Sequence, residues 1–145
     1  MDSFDLGIVG GGPGGYTAAL YAANQGKSVI LFEKEELGGT CLNRGCIPTK
    51  LFLHAAEIYQ TFLEAKKIGI FADNISFDYE KIVEYKDKTI AKLRKSLELM
   101  IKNSGINVIK AEATIKSPNI ISANEKSLYF SRTRISILWN GKRPI

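Results

Sequence analysis

Thiol chemistry is concentrated in one short segment, which holds both cysteines of the chain, Cys41 and Cys46. Their spacing is longer than in the usual zinc knuckle, and no histidine or further cysteine completes a four-ligand site, so we expect no metal. A structural disulfide across so small a loop would add little stability. A redox dithiol needs a setting that favours the thiolate form of one sulfur. Pro48 predicts a helix that begins near Cys46, and the N-terminus of a helix favours a thiolate. Arg44 and Lys50 add positive charge to the same setting, and the residues by themselves leave a redox pair and two inert buried thiols both open.

A second chemical signal is the glycine-rich turn Gly10-x-Gly12-x-x-Gly15. In dinucleotide-binding proteins the first glycine permits a tight turn, the second lets the backbone approach a pyrophosphate, and the third lets helix and strand pack closely. Backbone N–H groups at the start of the following helix then hold the phosphates. Glu33 lies 18 residues beyond Gly15, where a carboxylate can accept hydrogen bonds from ribose hydroxyls. The pattern predicts dinucleotide binding but does not by itself separate NAD from FAD.

Strands and helices must position the cysteine segment and the glycine-rich turn. A short apolar run ends at the glycines and predicts a buried strand, and apolar residues at helical spacing predict two longer helices further on. The predicted elements are strands over 4–9, 28–32 and 106–115, and helices over 16–25, 51–67 and 80–102. The last two helices form a hairpin over 51–104. The expected fold is therefore α/β, a Rossmann-like domain with a parallel sheet and a helical hairpin.

Composition and charge limit the class of protein. With 145 residues, 45% of them apolar and 24% charged, the chain suffices for one domain with a real core and does not have the composition of a disordered protein. The net charge of +5 comes mostly from residues 124–145, so we expect no nucleic-acid partner. The longest early uncharged stretch, 6–26, is too rich in glycine for a membrane span, and the N-terminus lacks the positive charge of a signal peptide. We expect a cytoplasmic protein with no membrane partner.

Residues 39–50, which read GTCLNRGCIPTK, resemble the active-site segment of the flavin-dependent disulfide reductases, the class I pyridine nucleotide-disulfide oxidoreductase family. Within that family the sequence of this segment is most similar to that of the dihydrolipoamide dehydrogenases. Glutathione and mercuric reductases more often have Val where Leu42 and Ile47 stand. Together with the glycine-rich turn at the family's spacing, the resemblance covers residues 4 to about 115.

The resemblance implies that the dinucleotide is FAD and that its contacts run from the turn to the cysteine segment. The implied cofactor-binding residues are Gly10, Gly12 and Gly15 at the pyrophosphate, Glu33 on the adenosine ribose, Lys34, Gly39 and Thr40 along the same cofactor, Lys50 at the isoalloxazine ring, and the backbone of Ala113 at the adenine end. NAD enters as the co-substrate of full-length members.

The resemblance also implies the reaction. Cys41 and Cys46 would form a reversible disulfide, with Cys41 as the interchange thiol and Cys46 as the thiolate that faces the flavin. Electrons would pass from dihydrolipoamide to this pair, then to FAD and to NAD. The implied partners are a lipoyl-bearing substrate domain or a small disulfide, and full-length members would be homodimers. Their catalytic base comes from the C-terminus of the partner subunit, so we expect His54, the only histidine, to be a packing or surface residue.

The chain departs from the family pattern in its length and near its end. Family members are several-fold longer, so we divide the chain into residues 1–123, a partial FAD-binding domain, and residues 124–145, an atypical tail. The family's Ala-Thr-Gly-x-x-Pro has its nearest match at 138–144, which keeps only Gly141 and Pro144. The tail is either a diverged strand and turn or an altered terminus. Three functions stay open: part of a dihydrolipoamide dehydrogenase, part of a relative acting on another disulfide, or an inactive nucleotide-binding fragment. We expect no turnover from this chain alone.

Overall fold

Parallel strands with helices between them form the first part of the chain, and a small antiparallel sheet follows. The computed structural model describes residues 4–117 and 119–123, together with the backbone of 126–129 and 136–137. The strands are β1 (Leu6–Val9), β2 (Val29–Glu33), β3 (Asn107–Lys110), β4 (Ala113–Ser117), β5 (Ile120–Ala123), β6 (Lys126–Tyr129) and β7 (Ser136–Ile137), and the helices are α1 (Pro13–Asn24), α2 (Gly39–Arg44), α3 (Cys46–Ala65) and α4 (Tyr79–Asn103), with a 3-10 turn at Lys66–Ile68. The predicted motif at 138–144 lies outside the described residues.

The parallel sheet has the strand order β3-β2-β1-β7. Its central pair runs from Leu6 opposite Val29 to Val9 opposite Phe32, which confirms the predicted parallel pairing. The order reverses direction at β1, and in open α/β sheets ligands bind at the carboxyl ends of the strands at such a point. The turn that follows β1 and the residue that ends β2, Glu33, therefore lie at the same edge of the sheet.

Strand β2 is the centre of the core because both of its faces are covered. Val29 and Leu31 belong to a cluster that includes residues of α1 and α4, whereas Ile30 and Phe32 pack against the antiparallel sheet. All four side chains are at most 1% exposed. A continuous apolar run is what a strand buried on both faces requires.

The strand predicted over 106–115 is two strands in two different sheets. Residues Asn107–Lys110 pair with β2 in the parallel sheet, and Ala113–Ser117 pair with β5 in the antiparallel sheet of order β4-β5-β6. The break falls at Ala111, whose N–H donates to the Glu33 carbonyl oxygen at 3.0 Å. Alternation of apolar side chains continues through the break, so the period alone does not reveal the change of sheet.

The helices begin earlier than their apolar patterns indicate. Helix α1 starts at Pro13, where a missing N–H costs nothing, and α3 starts at Cys46, as the position of Pro48 indicated. The six-residue helix α2 was not predicted. The first turns of α1 and α3 hold glycine and proline, which do not mark a helix by apolar spacing, and α2 is too short to show a period, so all three escape the pattern.

The predicted helical hairpin is confirmed in α3 and α4. Asp78 caps α4, because its side chain accepts a hydrogen bond from the Lys81 N–H at 3.1 Å. Near the start of the hairpin, Phe52 and Tyr79 stack with ring centroids 6.1 Å apart. None of the described helices is long and apolar enough to cross a membrane.

Candidate functional site

In the glycine-rich turn, one glycine leaves room for a ligand to approach the backbone and another lets the following helix pack against the turn. Gly10 has a φ of 100°, in the left-handed region, and its N–H donates to the Phe32 carbonyl oxygen at 2.7 Å. A Cβ built at Gly15 would collide with the Gly10 carbonyl oxygen, whereas one built at Gly12 would meet no atom within 4 Å. Gly15 thus allows the helix to pack on the turn, and Gly12 leaves open space where a ligand can reach the backbone.

Glu33 is held in one orientation by the backbone. One carboxylate oxygen, Oε2, accepts from the Gly11 N–H at 2.7 Å, and the other, Oε1, accepts from the Glu35 N–H at 2.8 Å. A carboxylate oxygen can accept two hydrogen bonds, so each keeps capacity for a further donor. Glu33 is therefore a fixed acceptor beside the turn, which is the geometry that a ribose diol needs.

The cysteine pair joins two helices across Gly45. Cys41 lies in α2 and Cys46 is the first residue of α3, and the two are joined as a disulfide with their Cα atoms 4.7 Å apart. This distance lies within the range that disulfides require. A Cβ at Gly45 would lie 3.1 Å from the Thr40 carbonyl oxygen, so glycine suits this tight junction. The predicted pairing is confirmed.

A cleft of about 390 Å³ brings most of the predicted site residues together. Its walls are formed by the glycine turn, the end of β2, helix α2 and the β3–β4 junction. The predicted residues that line it are Gly10, Gly12, Glu33, Lys34, Gly39, Thr40, Cys41 and Ala113. Gly15 is buried beneath the turn instead, and Cys46 and Lys50 are exposed on α3 outside the described cleft.

Charged side chains at the rim of the cleft are paired with one another. Lys34 lies 3.4 Å from Glu112, and Arg44 lies 2.8 Å from Glu35. Arg44 was expected to add positive charge to the cysteine segment, and its pairing with Glu35 offsets that charge. His54 is exposed on α3, which agrees with the second of the two expected roles, a packing or a surface residue.

The sequence reasoning missed one residue that lines the cleft and a second residue that contacts it. Asn43 lines the cleft, and its amide contacts Arg94 of α4, with 3.5 Å between Oδ1 and the guanidinium. The two residues are 51 positions apart, so no local spacing connects them. The only available signal for Asn43 was its place between the cysteines.

The residues present fit a dinucleotide. The open backbone at Gly12 accommodates a pyrophosphate, the oriented Glu33 carboxylate accommodates a ribose, and the volume of the cleft lies within the usual range for ligand sites. The site therefore combines a nucleotide-binding turn with a disulfide in the wall of the same cleft.

Comparison with known proteins agrees with this combination. The family model described as pyridine nucleotide-disulphide oxidoreductase matches residues 4–133. The chain is 42% identical over 143 residues to a dihydrolipoyl dehydrogenase of Acholeplasma laidlawii, covering 98% of the chain and 42% of the relative. It is 37% identical over 142 residues to that of Staphylococcus aureus, covering 97% and 30%, and 37% identical over 139 residues to that of Geobacillus stearothermophilus, covering 95% and 30%. The chain spans less than half the length of these relatives.

Proposed function

Because the chain belongs to the pyridine nucleotide-disulphide oxidoreductase family, whose members use a flavin-type cofactor, we propose that it is the FAD-binding N-terminal part of a dihydrolipoyl dehydrogenase. One observation carries this proposal. Cys41, one partner of the disulfide, lies in the wall of the cleft that the glycine turn and Glu33 also line.

FAD would be held along this cleft. Its pyrophosphate would lie against Gly10 and Gly12 at the start of α1, and its adenosine ribose would donate to Glu33. Lys34, Gly39, Thr40 and Ala113 would line the cofactor, and Lys50 would reach the ring. When bound, a flavin supplies two-electron transfer between a dithiol and a nicotinamide.

The cysteine pair would carry out the exchange with the substrate. A thiolate of a dihydrolipoyl group attacks Cys41 Sγ, which breaks the Cys41–Cys46 bond, forms a mixed disulfide and leaves Cys46 as a thiolate. The second dihydrolipoyl sulfur then attacks the mixed disulfide, releases the cyclic disulfide and leaves Cys41 reduced. The substrate has lost two electrons and two protons, which the Cys41–Cys46 pair has gained. With FAD bound, this pair would give up the two electrons by way of the cofactor to NAD+, so that the disulfide re-forms and NADH and a proton are produced. The beginning of α3 at Cys46 favours its thiolate form.

The remaining parts of the activity belong to the whole protein. We propose that a lipoyl-bearing domain is the substrate partner and that the complete protein is a homodimer, as the family resemblance implies. A cytoplasmic location suits a disulfide that must cycle, because thiols are kept reduced there. Since the chain spans 42% or less of the three relatives above, we expect it to bind FAD and cycle its disulfide without turning over dihydrolipoamide.

FAD binding by the purified chain tests the proposal, with equilibrium dialysis as the measurement. We expect binding by the wild type, weaker binding by Gly12→Ala and none by Gly12→Val, because these side chains extend into the open space that the pyrophosphate requires. Circular dichroism should show the same helix content in all three proteins. Absence of FAD binding by the folded wild type would contradict the proposal.

Cycling of the disulfide is tested separately by mass spectrometry after alkylation. We expect no alkylation of Cys41 and Cys46 in the oxidised chain and two alkyl groups after mild dithiol treatment. Two alkylated cysteines in the folded, oxidised protein would contradict the redox assignment even if FAD were bound.

A further inference from the structure

We propose that Asn43, whose amide spans from the loop before α2 to Arg94 of α4, is a positioning residue that holds Cys41 in the geometry required for the disulfide. This inference rests on the proposed redox function of the pair. It concerns a residue between the cysteines whose side chain reaches two separate parts of the structure, the loop before α2 and helix α4.

The Asn43 amide nitrogen binds the chain at the entrance of α2. Nδ2 donates to the Leu37 carbonyl oxygen at 3.1 Å and to the Gly39 carbonyl oxygen at 2.9 Å, with the Glu36 carbonyl oxygen at 3.5 Å. These acceptors lie just before Thr40 and Cys41, which face the cleft. Asn43 therefore fixes the loop that determines where α2 begins.

The same loop is tied to the nucleotide-binding turn from its other side. The Gly38 N–H donates to the Gly11 carbonyl oxygen at 2.8 Å, and a Cβ at Gly39 would lie 2.8 Å from the Gly12 Cα. No side chain fits between the loop and the turn. A shift of the loop would therefore move Cys41 relative to both Cys46 and the cleft.

Arg94 contacts the other end of the Asn43 amide and favours the orientation that the loop carbonyls require. Its guanidinium can only donate, and it lies 3.5 Å from Asn43 Oδ1 and 3.5 Å from a Glu36 carboxylate oxygen. The loop carbonyls hold the amide nitrogen, so the amide oxygen faces α4, where only a donor such as the Arg94 guanidinium suits it. Asp at position 43 would have no donor for those carbonyls, so the arrangement requires an amide.

The experiment measures the equilibrium of the Cys41–Cys46 disulfide with glutathione in the full 145-residue chain. Two glutathione thiols supply two electrons and two protons, so that one protein disulfide becomes a dithiol and one glutathione disulfide forms. The oxidised fraction is read by alkylation and mass spectrometry over a series of glutathione ratios, with circular dichroism on both forms.

We expect Asn43→Ala to lower the equilibrium constant for disulfide formation about tenfold, because hydrogen bonds that hold the oxidised geometry are lost. Arg94→Gln removes the guanidinium beside the amide oxygen but leaves the hydrogen bonds from Asn43 Nδ2 to the loop. It should lower the equilibrium constant for disulfide formation about threefold. Asn107→Ala is the matched control for Asn43→Ala. Asn107 is exposed and begins β3, whereas the end of β3 near the cleft is Lys110, which lies opposite Glu33 in the sheet. Lys95→Gln is the control for Arg94→Gln, because Lys95 is exposed beside Arg94.

A double-mutant cycle separates positioning from a general loss of stability. If Arg94 acts through Asn43, the double variant Asn43→Ala, Arg94→Gln should match Asn43→Ala alone, whereas independent effects would add. Additive effects, or an Asn43→Ala constant within twofold of Asn107→Ala, would overturn the inference. If Asn43→Ala does not fold, an Arg94→Gln constant equal to that of Lys95→Gln overturns it. A wild-type disulfide that glutathione never opens would overturn the proposed redox function as well, so the two failures are distinct.

Discussion

The parallel sheet and the helical hairpin bury their apolar side chains to very different degrees. In the sheet, Ile8 and Leu31 are fully buried. In α3 only Pro48 is buried, while Leu53, Ile58 and Phe62 are 46–56% exposed. The chain therefore concentrates its core around the nucleotide-binding turn, and the hairpin contributes α4 residues to that core but leaves much of α3 uncovered.

This difference in burial separates the sheet, which supports the cleft, from the outer part of α3, which extends beyond it. The cleft stands on the sheet, whose central strand is covered on both faces, so its turn and Glu33 have a rigid base. The outer part of α3 has no such cover in the described structure. We expect substitutions in the core of the sheet or in its turn to lower stability or cofactor binding, and substitutions on outer α3 to have little effect on either.

The largest expected effect is on global stability. Leu31→Ala removes a fully buried side chain from β2 and should lower the free energy of unfolding by about 2–5 kcal/mol. Leu63→Ala on α3, where the side chain is 43% exposed, should lower it by less than about 1 kcal/mol. Chemical denaturation followed by circular dichroism measures both. Equal losses would contradict the contrast between sheet and hairpin.

The second effect distinguishes packing from binding within the turn. Gly15→Ala places a Cβ against the Gly10 carbonyl oxygen and should lower the free energy of unfolding by about 1–3 kcal/mol. Gly12→Ala, whose Cβ meets no atom within 4 Å, should retain the stability of the wild type. The comparison fails if Gly12→Ala proves the less stable of the two in urea.

The third effect concerns the oriented carboxylate. Glu33→Gln leaves one oxygen to face two backbone N–H donors, so an N–H loses its acceptor and FAD binding should weaken about tenfold. Glu35→Gln changes the neighbouring carboxylate, which forms an exposed pair with Arg44, and should leave binding nearly unchanged. Dialysis against FAD measures both variants, and equal affinities would show that orientation of Glu33 is unimportant.

The smallest effect is expected at the cap of α4, in the hairpin. The Lys81 backbone N–H lowers the pKa of Asp78 below its ordinary value of 3.8. The charged form is therefore favoured in the folded state, and the stability that Asp78 contributes is present above pH 3.8 and is lost as the pH falls through the lower folded pKa. Asp78→Ala should lower the melting temperature at pH 7 by about 2–4 °C.

Asp78→Asn is the control for that prediction, because asparagine keeps the capping oxygen without a titratable charge. Its stability should stay close to the wild type at pH 7 and should vary less between pH 5 and pH 3. If the wild type and Asp78→Asn lose stability in parallel over this range, the ionised cap has no role there.

Several features could be predicted because they depend on local spacing. Three glycines between an apolar run and a helix specify the turn, a continuous apolar run specifies β2, and Pro48 marks the start of the helix that carries Cys46. Each of these follows from backbone freedom, burial or a missing N–H within a few residues. The cysteine pairing followed from the family motif, and the structure confirms it.

Other features depended on contacts between distant parts of the chain. The split of 106–115 into β3 and β4 depends on where β2 ends, since the Ala111 N–H binds the Glu33 carbonyl oxygen. The contact of Asn43 with Arg94 depends on how α4 packs beside α2. The amino-acid sequence alone thus determined the turn and the buried strand, because short-range sterics and burial specify them, whereas the reactive pair followed from the family motif. Only the tertiary structure decided which face of Asn43 meets the loop and which residues share the cleft, because those contacts arise when elements far apart in the chain pack together.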